Sequence, residues 1–177
     1  MRRGELLALR WKDIDLEKAL LYVRSNLQFI KGGFVFSDPK TPLSRRQVAL
    51  SQKAVEALRR HQAHQNVERR LLGEAWDDSF DLVLPNSIGR PENPSNLLSH
   101  QLYPLLKSAN IPEIRFHDLR HTAATLLLEA GIHPKVVSEM LGHSHISITL
   151  GIYSHVTPDM HKAAAAAMNA MLEDPAS

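Results

Sequence analysis

The chain has 177 residues, 44% hydrophobic and 23% charged, values that suit one globular domain and exclude wholesale disorder. It contains no cysteine, which removes disulfide frameworks, cysteine-ligated zinc, iron–sulfur centres and thiol nucleophiles, and suits a reducing compartment. Charge is mildly basic, 21 Lys+Arg against 19 Asp+Glu with ten histidines held neutral, a net +2 too small by itself to indicate a nucleic-acid partner.

No apolar run approaches the roughly 20 residues of a membrane span. The opening Met1-Arg2-Arg3-Gly4-Glu5 turns acidic before any apolar stretch, unlike a signal peptide. Residues 2–11 read as a helix, with Leu6, Leu7 and Leu9 apolar and Glu5 near its start. Asp13-Ile14-Asp15 reads as a turn and Ala19 to Arg24 as a strand. Gln28-Phe29-Ile30 and Phe34-Val35-Phe36 flank Lys31-Gly32-Gly33, a hairpin whose glycines supply the positive φ of its turn. A loop at Asp38-Pro39-Lys40-Thr41-Pro42 leads to a short strand, Gln47 to Leu50, so the first third is expected to be a small antiparallel sheet. Ser51 can cap a helix running to about Leu72, with Ala54, Val55 and Leu58 on one face. Leu82 to Pro85 is a short buried segment, and 85–96 is a loop rich in proline and asparagine. A helix starting at Ser95 or Asn96 ends near Asn110-Ile111-Pro112.

The rest reads as helical. Phe116 to Ala130 stops at Gly131, and Pro134 to Leu141 stops at Gly142; each glycine suits a helix C-cap. Ser147 to about Tyr153 is a short helix or turn, and Pro158 to Leu172 is an alanine-rich final helix. The fold class is therefore α+β, mostly helical, with a small antiparallel sheet near the N-terminus.

Arginine pairs recur at Arg2-Arg3, Arg45-Arg46, Arg59-Arg60 and Arg69-Arg70; the last two suit a solvated helix face. Motifs for nucleotide hydrolysis, dinucleotide binding and the serine-hydrolase elbow are lacking. The richest stretch is His117-Asp118-Leu119-Arg120-His121, followed by Leu141-Gly142-His143 and Tyr153. On a helix, His117 shares a face with both Arg120 and His121. One reading is a metal site using His117, His121 and His143 or His145. Another is a phosphate pocket, in which an arginine and a histidine bind the anion and a helix N-terminus at 117 adds its positive end. Tyr153 could then attack phosphorus, provided that cations neutralise the charge that develops. Trp11 reads as core.

These segments, in this order, resemble the tyrosine recombinase (phage integrase) family. Met1-Arg2-Arg3-Gly4-Glu5-Leu6 resembles its first arginine box. Pro39-Lys40-Thr41 with Ser44-Arg45-Arg46 resembles its lysine segment. His117-Asp118-Leu119-Arg120-His121-Thr122 resembles the second box, and Leu141-Gly142-His143 with Ile152-Tyr153-Ser154 the third histidine and the nucleophile. The resemblance implies a catalytic domain of the DNA breaking–rejoining type, cutting and rejoining strands through a 3′-phosphotyrosyl intermediate at Tyr153. It implies that Arg2 and Arg120 grip the scissile phosphate and that Glu5 orients the arginine cluster. Lys40 would protonate the leaving 5′ oxygen, His117 would hydrogen-bond or act as general base, and His143 would contact the phosphate in the transition state. No cofactor and no metal are implied. The partners implied are double-stranded DNA and further copies of the chain in a tetramer; the setting is the cytoplasm of a prokaryote, on a mobile element. The expected organisation is one catalytic domain over 1–177, truncated at its N-terminus and lacking a core-binding domain. The alternatives are an impaired remnant that binds DNA or partner recombinases, a type IB topoisomerase-like enzyme, and the histidine metal site.

Overall fold

A computed structural model describes residues 1–38 and 45–153, with the backbone alone at Tyr153, and also Ala166, Met168 and Asn169. The expected first helix is short: α1 covers Arg3–Leu7. It stops because the next backbone groups pair elsewhere. Val83 N–H donates to Leu9 O, and Trp11 N–H to Asp81 O, each at 2.9 Å. The expected turn at 13–15 is displaced: Trp11–Asp13 is a 3₁₀ turn and Ile14–Asp15 is strand β1. The reversal falls after it, where Asp15 Oδ1 accepts from the N–H groups of Glu17 and Lys18 at 3.2 and 2.9 Å. An aspartate that captures backbone donors two and three residues on makes such a turn locally.

The front of the chain forms two sheets where one was expected. β2 (Leu20–Val23) lies between β1 and β5 (Arg46–Ala49), antiparallel to both, with Leu21 opposite Val48 and Val23 opposite Arg46. Both edges of β2 are thereby taken. The hairpin of β3 (Asn26–Ile30) and β4 (Gly33–Ser37) has to pair with itself alone. Its turn uses Gly32 at φ 104° and Gly33 at φ 147°, backbone that side-chain-bearing residues avoid.

Helix α2 (Gln52–Leu72) begins where expected, with Ser51 Oγ accepting from Ala54 N–H at 3.3 Å. Arg59 pairs with Glu17 and Arg69 with Asp78, all four side chains well exposed, so this helix face is solvated as read. Asn93 caps a helical run comprising α3 (Pro94–Asn96), a π-helical segment (Leu97–Leu102) and α4 (Tyr103–Ser108). Then come α5 (Phe116–Glu129), α6 (Pro134–Leu141) and α7 (Ile146–Tyr153). The expected final helix over 158–172 lies outside the described residues apart from Ala166, Met168 and Asn169.

Three apolar clusters bind these pieces. Leu7 and Ala8 pack with Leu27 and Leu97, joining α1 to the hairpin and the π segment. Leu9, Leu21, Val23 and Val83 join the chain after α1 to β2, with Trp11 and Leu58 against them. Ala124, Leu128, Val137 and Leu141 join α5 to α6, with Ile152 of α7 packed on them. Burying a leucine or valine side chain fully is worth about 1.5–3 kcal/mol, so each cluster holds its elements firmly. Helix α1 comes so close to β3 that a Cβ on Gly4 would lie 2.8 Å from Leu27 O and would also meet Asn26 Oδ1.

Candidate active site

Arg2 is the N-cap of α1, and the helix geometry sets its contacts. Glu5, three residues on, accepts from Arg2 N–H at 2.8 Å with Oε2 and from Arg2 Nη1 at 2.9 Å with Oε1. The carboxylate thus satisfies an orphan helix donor and holds a guanidinium at the same time. Arg2 Nη2 donates to Gly142 O at 2.7 Å, across 140 residues of chain. That carbonyl is presented because α6 ends in a left-handed turn at Gly142, φ 71°. Arg3, its neighbour in the pair, is exposed.

Arg120 continues the buried stripe of α5. It lies one and two turns before Ala124 and Leu128 on the same face, and is only 5% exposed. Its Nη1 is buried and has no hydrogen-bond partner among the described residues. Burial, then Arg2, lowers its pKa to about 10, with a smaller push from Arg46 and an opposing pull from Glu5. A guanidinium at that value still carries its full charge at neutral pH. His117 lies in the first exposed turn of α5, and its ring stands edge-on to that of His121, 4.7 Å between centroids. Burial, His121 and Arg120 lower its pKa. Asp118, in the first turn of α5, accepts from the N–H of Arg115, the residue before the helix, at 3.0 Å, which fixes where α5 begins.

His143 follows the Gly142 cap, and its Nδ1 lies 2.7 Å from Oγ1 of Thr149, a fully buried residue of α7. Burial first, then Arg120 and Arg2, push its pKa down to about 4, so the ring is neutral at physiological pH. Tyr153 is the last residue of α7, one position after the packed Ile152. Its side chain, and the whole of Lys40 with residues 39–44, lie outside the described residues. Five of the expected site residues, Arg2, Glu5, His117, Arg120 and His143, therefore share one electrostatic neighbourhood, and α7 carries the sixth position, Tyr153, from the same bundle. Among the described residues no group of three or more His, Asp or Glu side chains is disposed to hold a metal ion, so the three-histidine reading finds no support there.

Two members of the cluster escaped the reading of the sequence. Arg46 had been read as half of a basic pair and as part of the lysine segment, with no role of its own; its side chain is 6% exposed and forks onto Glu5, Nη2 to Oε2 at 2.8 Å and Nη1 to Oε1 at 3.1 Å. The signal was present in the alternation of β5, which puts Arg46 on the inward face with Val48 and Gln47 and Ala49 outward. Thr149 gave no signal, because nothing in a short helix marks which hydroxyl will reach a distant histidine. Glu5 is the hub. Burial would push its carboxyl up, but hydrogen bonds from Arg46 and from Arg2 N–H outweigh this and bring it down to about 2.

The class follows from these features. A mostly helical domain fronted by small sheets gathers buried arginines, a neutral histidine and a tyrosine-bearing helix, the arrangement expected for the catalytic domain of a tyrosine recombinase. The chain belongs to the phage integrase family, whose sequence profile matches residues 1–160. It is 37% identical to a tyrosine recombinase XerC-like protein of Caldanaerobacter subterraneus subsp. tengcongensis, over 96% of this chain and 46% of that one. It is 32% identical to the prophage integrase IntR of Escherichia coli K12, over 97% of this chain and 44% of the relative. The Tn1549 transposon integrase, solved in complex with transposon right-end DNA, superposes with a TM-score of 0.74 at 26% identity, over 92% of this chain and 53% of that one. XerH bound to its palindromic difH substrate superposes with a TM-score of 0.61 at 27% identity, over 93% of this chain and 41% of that one. The chain spans less than half the length of the curated relatives it matches.

Proposed function

We propose that this chain is the catalytic domain of a site-specific DNA recombinase that cleaves and rejoins strands through a 3′-phosphotyrosyl bond at Tyr153. The observation that carries the reading is the buried, fully charged Arg120, whose Nη1 lacks a partner among the described residues, set beside Arg2 and the neutral His143. A buried cation with an unused donor is costly unless an anion completes it.

The charge arithmetic suits a phosphodiester. Arg2, Arg46 and Arg120 bring three positive charges and Glu5 removes one, so two remain; a five-coordinate phosphorus in the transition state carries about two negative charges. In the forward step Tyr153 Oη attacks phosphorus and the P–O5′ bond breaks. The phenol proton passes to His117 or to water, and the departing 5′ oxygen takes a proton from Lys40. Where Nδ1 of His143 accepts from the Thr149 hydroxyl, its Nε2 keeps a hydrogen to donate to a non-bridging oxygen. The ester retains the energy of the broken bond, so rejoining needs no nucleotide and no metal. The partner is double-stranded DNA, with strand exchange in a tetramer of such chains, and the setting is the cytoplasm of a prokaryote or a phage-infected cell. No helix among the described residues is long and apolar enough to cross a membrane.

The test is covalent trapping. The protein is mixed at low salt with a pool of nicked suicide duplexes, and a denaturant-resistant adduct is mapped by mass spectrometry. An adduct on Tyr153 that disappears in Tyr153→Phe and Arg120→Ala is the expected result. No adduct on any duplex, or one on another residue, would refute the reading.

A further inference from the structure

Arg46 belongs to none of the steps above, yet it is among the most deeply engaged polar side chains of the domain. From β5 it reaches Glu5, 41 residues earlier, with two nitrogens at 2.8 and 3.1 Å. Its Nε donates to Met140 O at 2.9 Å, 94 residues later, in the last turn of α6. It also lies against the α6 cap itself: a Cβ on Gly142 would come within 2.7 Å of Arg46 Nη1. These are the two supports of Arg2. Glu5 is its ion partner and Gly142 O its carbonyl partner, and the residue after Gly142 is His143. One guanidinium therefore joins α1, β5 and the α6–α7 turn, segments that no single apolar cluster joins.

We propose that Arg46 is a positioning residue for cleavage: its fork holds Glu5 and the 140–142 turn as one frame on which Arg2 and His143 are aligned, while its own donors stay within the protein. The proposal rests on the reading of Tyr153 as nucleophile. Buried as it is, Arg46 has little surface to offer a DNA phosphate. What it controls is distance, and a misplacement of about 1 Å at such a site can cost about a hundredfold in rate. Lysine keeps the charge but cannot bond both Glu5 oxygens and a carbonyl in one planar fork.

The experiment compares the whole chain with Arg46→Lys and with Val48→Ala, a core truncation on the same strand face. Three quantities are read: the rate of Tyr153 adduct formation on a saturating suicide duplex, the affinity for that duplex, and the titration of the Glu5 carboxyl by carbon NMR. Arg46→Lys is expected to slow the adduct about tenfold or more, with affinity within about twofold, and to raise the Glu5 titration point from its low wild-type value. Val48→Ala is expected to lower the melting temperature yet leave the rate and the Glu5 titration as in wild type. A wild-type rate or an unmoved Glu5 in Arg46→Lys would overturn the proposal. So would a wild-type Glu5 that titrates like an ordinary carboxyl, a measurement that stands even if the lysine variant fails to fold. A wild-type protein that forms no adduct while Glu5 still responds to Arg46→Lys would refute the cleavage reading and leave the clamp itself established.

Discussion

Glu5→Gln removes the one negative charge among three guanidiniums while preserving shape. A carboxyl drawn from 4.5 to about 2 corresponds to about 3 kcal/mol of stabilisation at neutral pH, at ~1.4 kcal/mol per tenfold change in a protonation equilibrium. Breaking a buried ion pair from one side costs about 3–5 kcal/mol by general experience, since the partners are left charged. The variant should therefore be about 3 kcal/mol less stable at pH 7. The sign of the pH dependence follows from the folded carboxyl being the stronger acid. Its contribution is complete above pH 4.5 and is lost as pH falls toward 2, because protonated glutamic acid then resembles glutamine. Urea unfolding followed by fluorescence of Trp11 and Trp76, for both proteins at steps from pH 7 downward, gives the difference directly. Other carboxyls cancel in that difference. The gap should hold from pH 7 to about 5 and narrow below 4.5. A gap under about 1 kcal/mol at pH 7, or one that stays constant down to the lowest pH with a folded baseline, would refute the picture of Glu5 as the hub of the cluster.

Arg120→Lys should lower the Tyr153 adduct rate by about a hundredfold or more, since an ammonium cannot replace a planar fork on a phosphate; single-turnover cleavage measures it. The His143 ring should show its proton NMR titration near pH 4, and raising the pH from 5 to 7 should leave it neutral throughout; a midpoint near 6.5 would contradict its burial beside Arg120 and Arg2. Gly151→Ala should raise the stability of α7 by about 0.5–1 kcal/mol, because a Cβ there meets nothing within 4 Å and alanine is the better helix former; thermal unfolding checks it. Gly142→Ala should destabilise by about 1 kcal/mol or more, through its left-handed φ and the approach to Arg46, and should slow cleavage as well.

Much of the helical half was legible, for local reasons. Ser51, Pro134, Gly131 and Gly142 mark ends by chemistry that acts within a turn, and the ends lie where these residues place them. The first helix was read too long because Leu9 fits a helical stripe equally well; what shortens it is pairing with Asp81 and Val83, some seventy residues away, which no local pattern contains. The front sheet was read as one because alternation identifies strands and not their partners. In the site, Arg2, Glu5, His117, Arg120 and His143 were named through their resemblance to family boxes, and in the structure they are electrostatic neighbours. Arg46 was missed because a basic pair is usually solvent-facing. Only its register with Val48 distinguishes it from Arg45, which is 61% exposed.

The placement of Glu5 explains how so many cations can be gathered in the folded domain by itself. Arg2, Arg46 and Arg120 repel one another in partly dry surroundings; burial first, and then this repulsion, lowers the pKa of Arg120, and burial followed by Arg120 and Arg2 lowers that of His143. A carboxylate shared between Arg2 and Arg46 offsets it, yet Glu5 makes no hydrogen bond to Arg120 among those described, and Arg120 Nη1 keeps a donor that the proposed function gives to a phosphate oxygen. On the proposed function, full neutralisation would weaken the hold on a doubly charged transition state. Without the carboxylate the three guanidiniums would stand unopposed, at the cost in stability worked out above for Glu5→Gln. One acid against three arginines lies between these limits, and the same contacts tie the start of the chain to the turn before α7. The cations are thus set in place by the fold itself, through Glu5, Met140 O and Gly142 O.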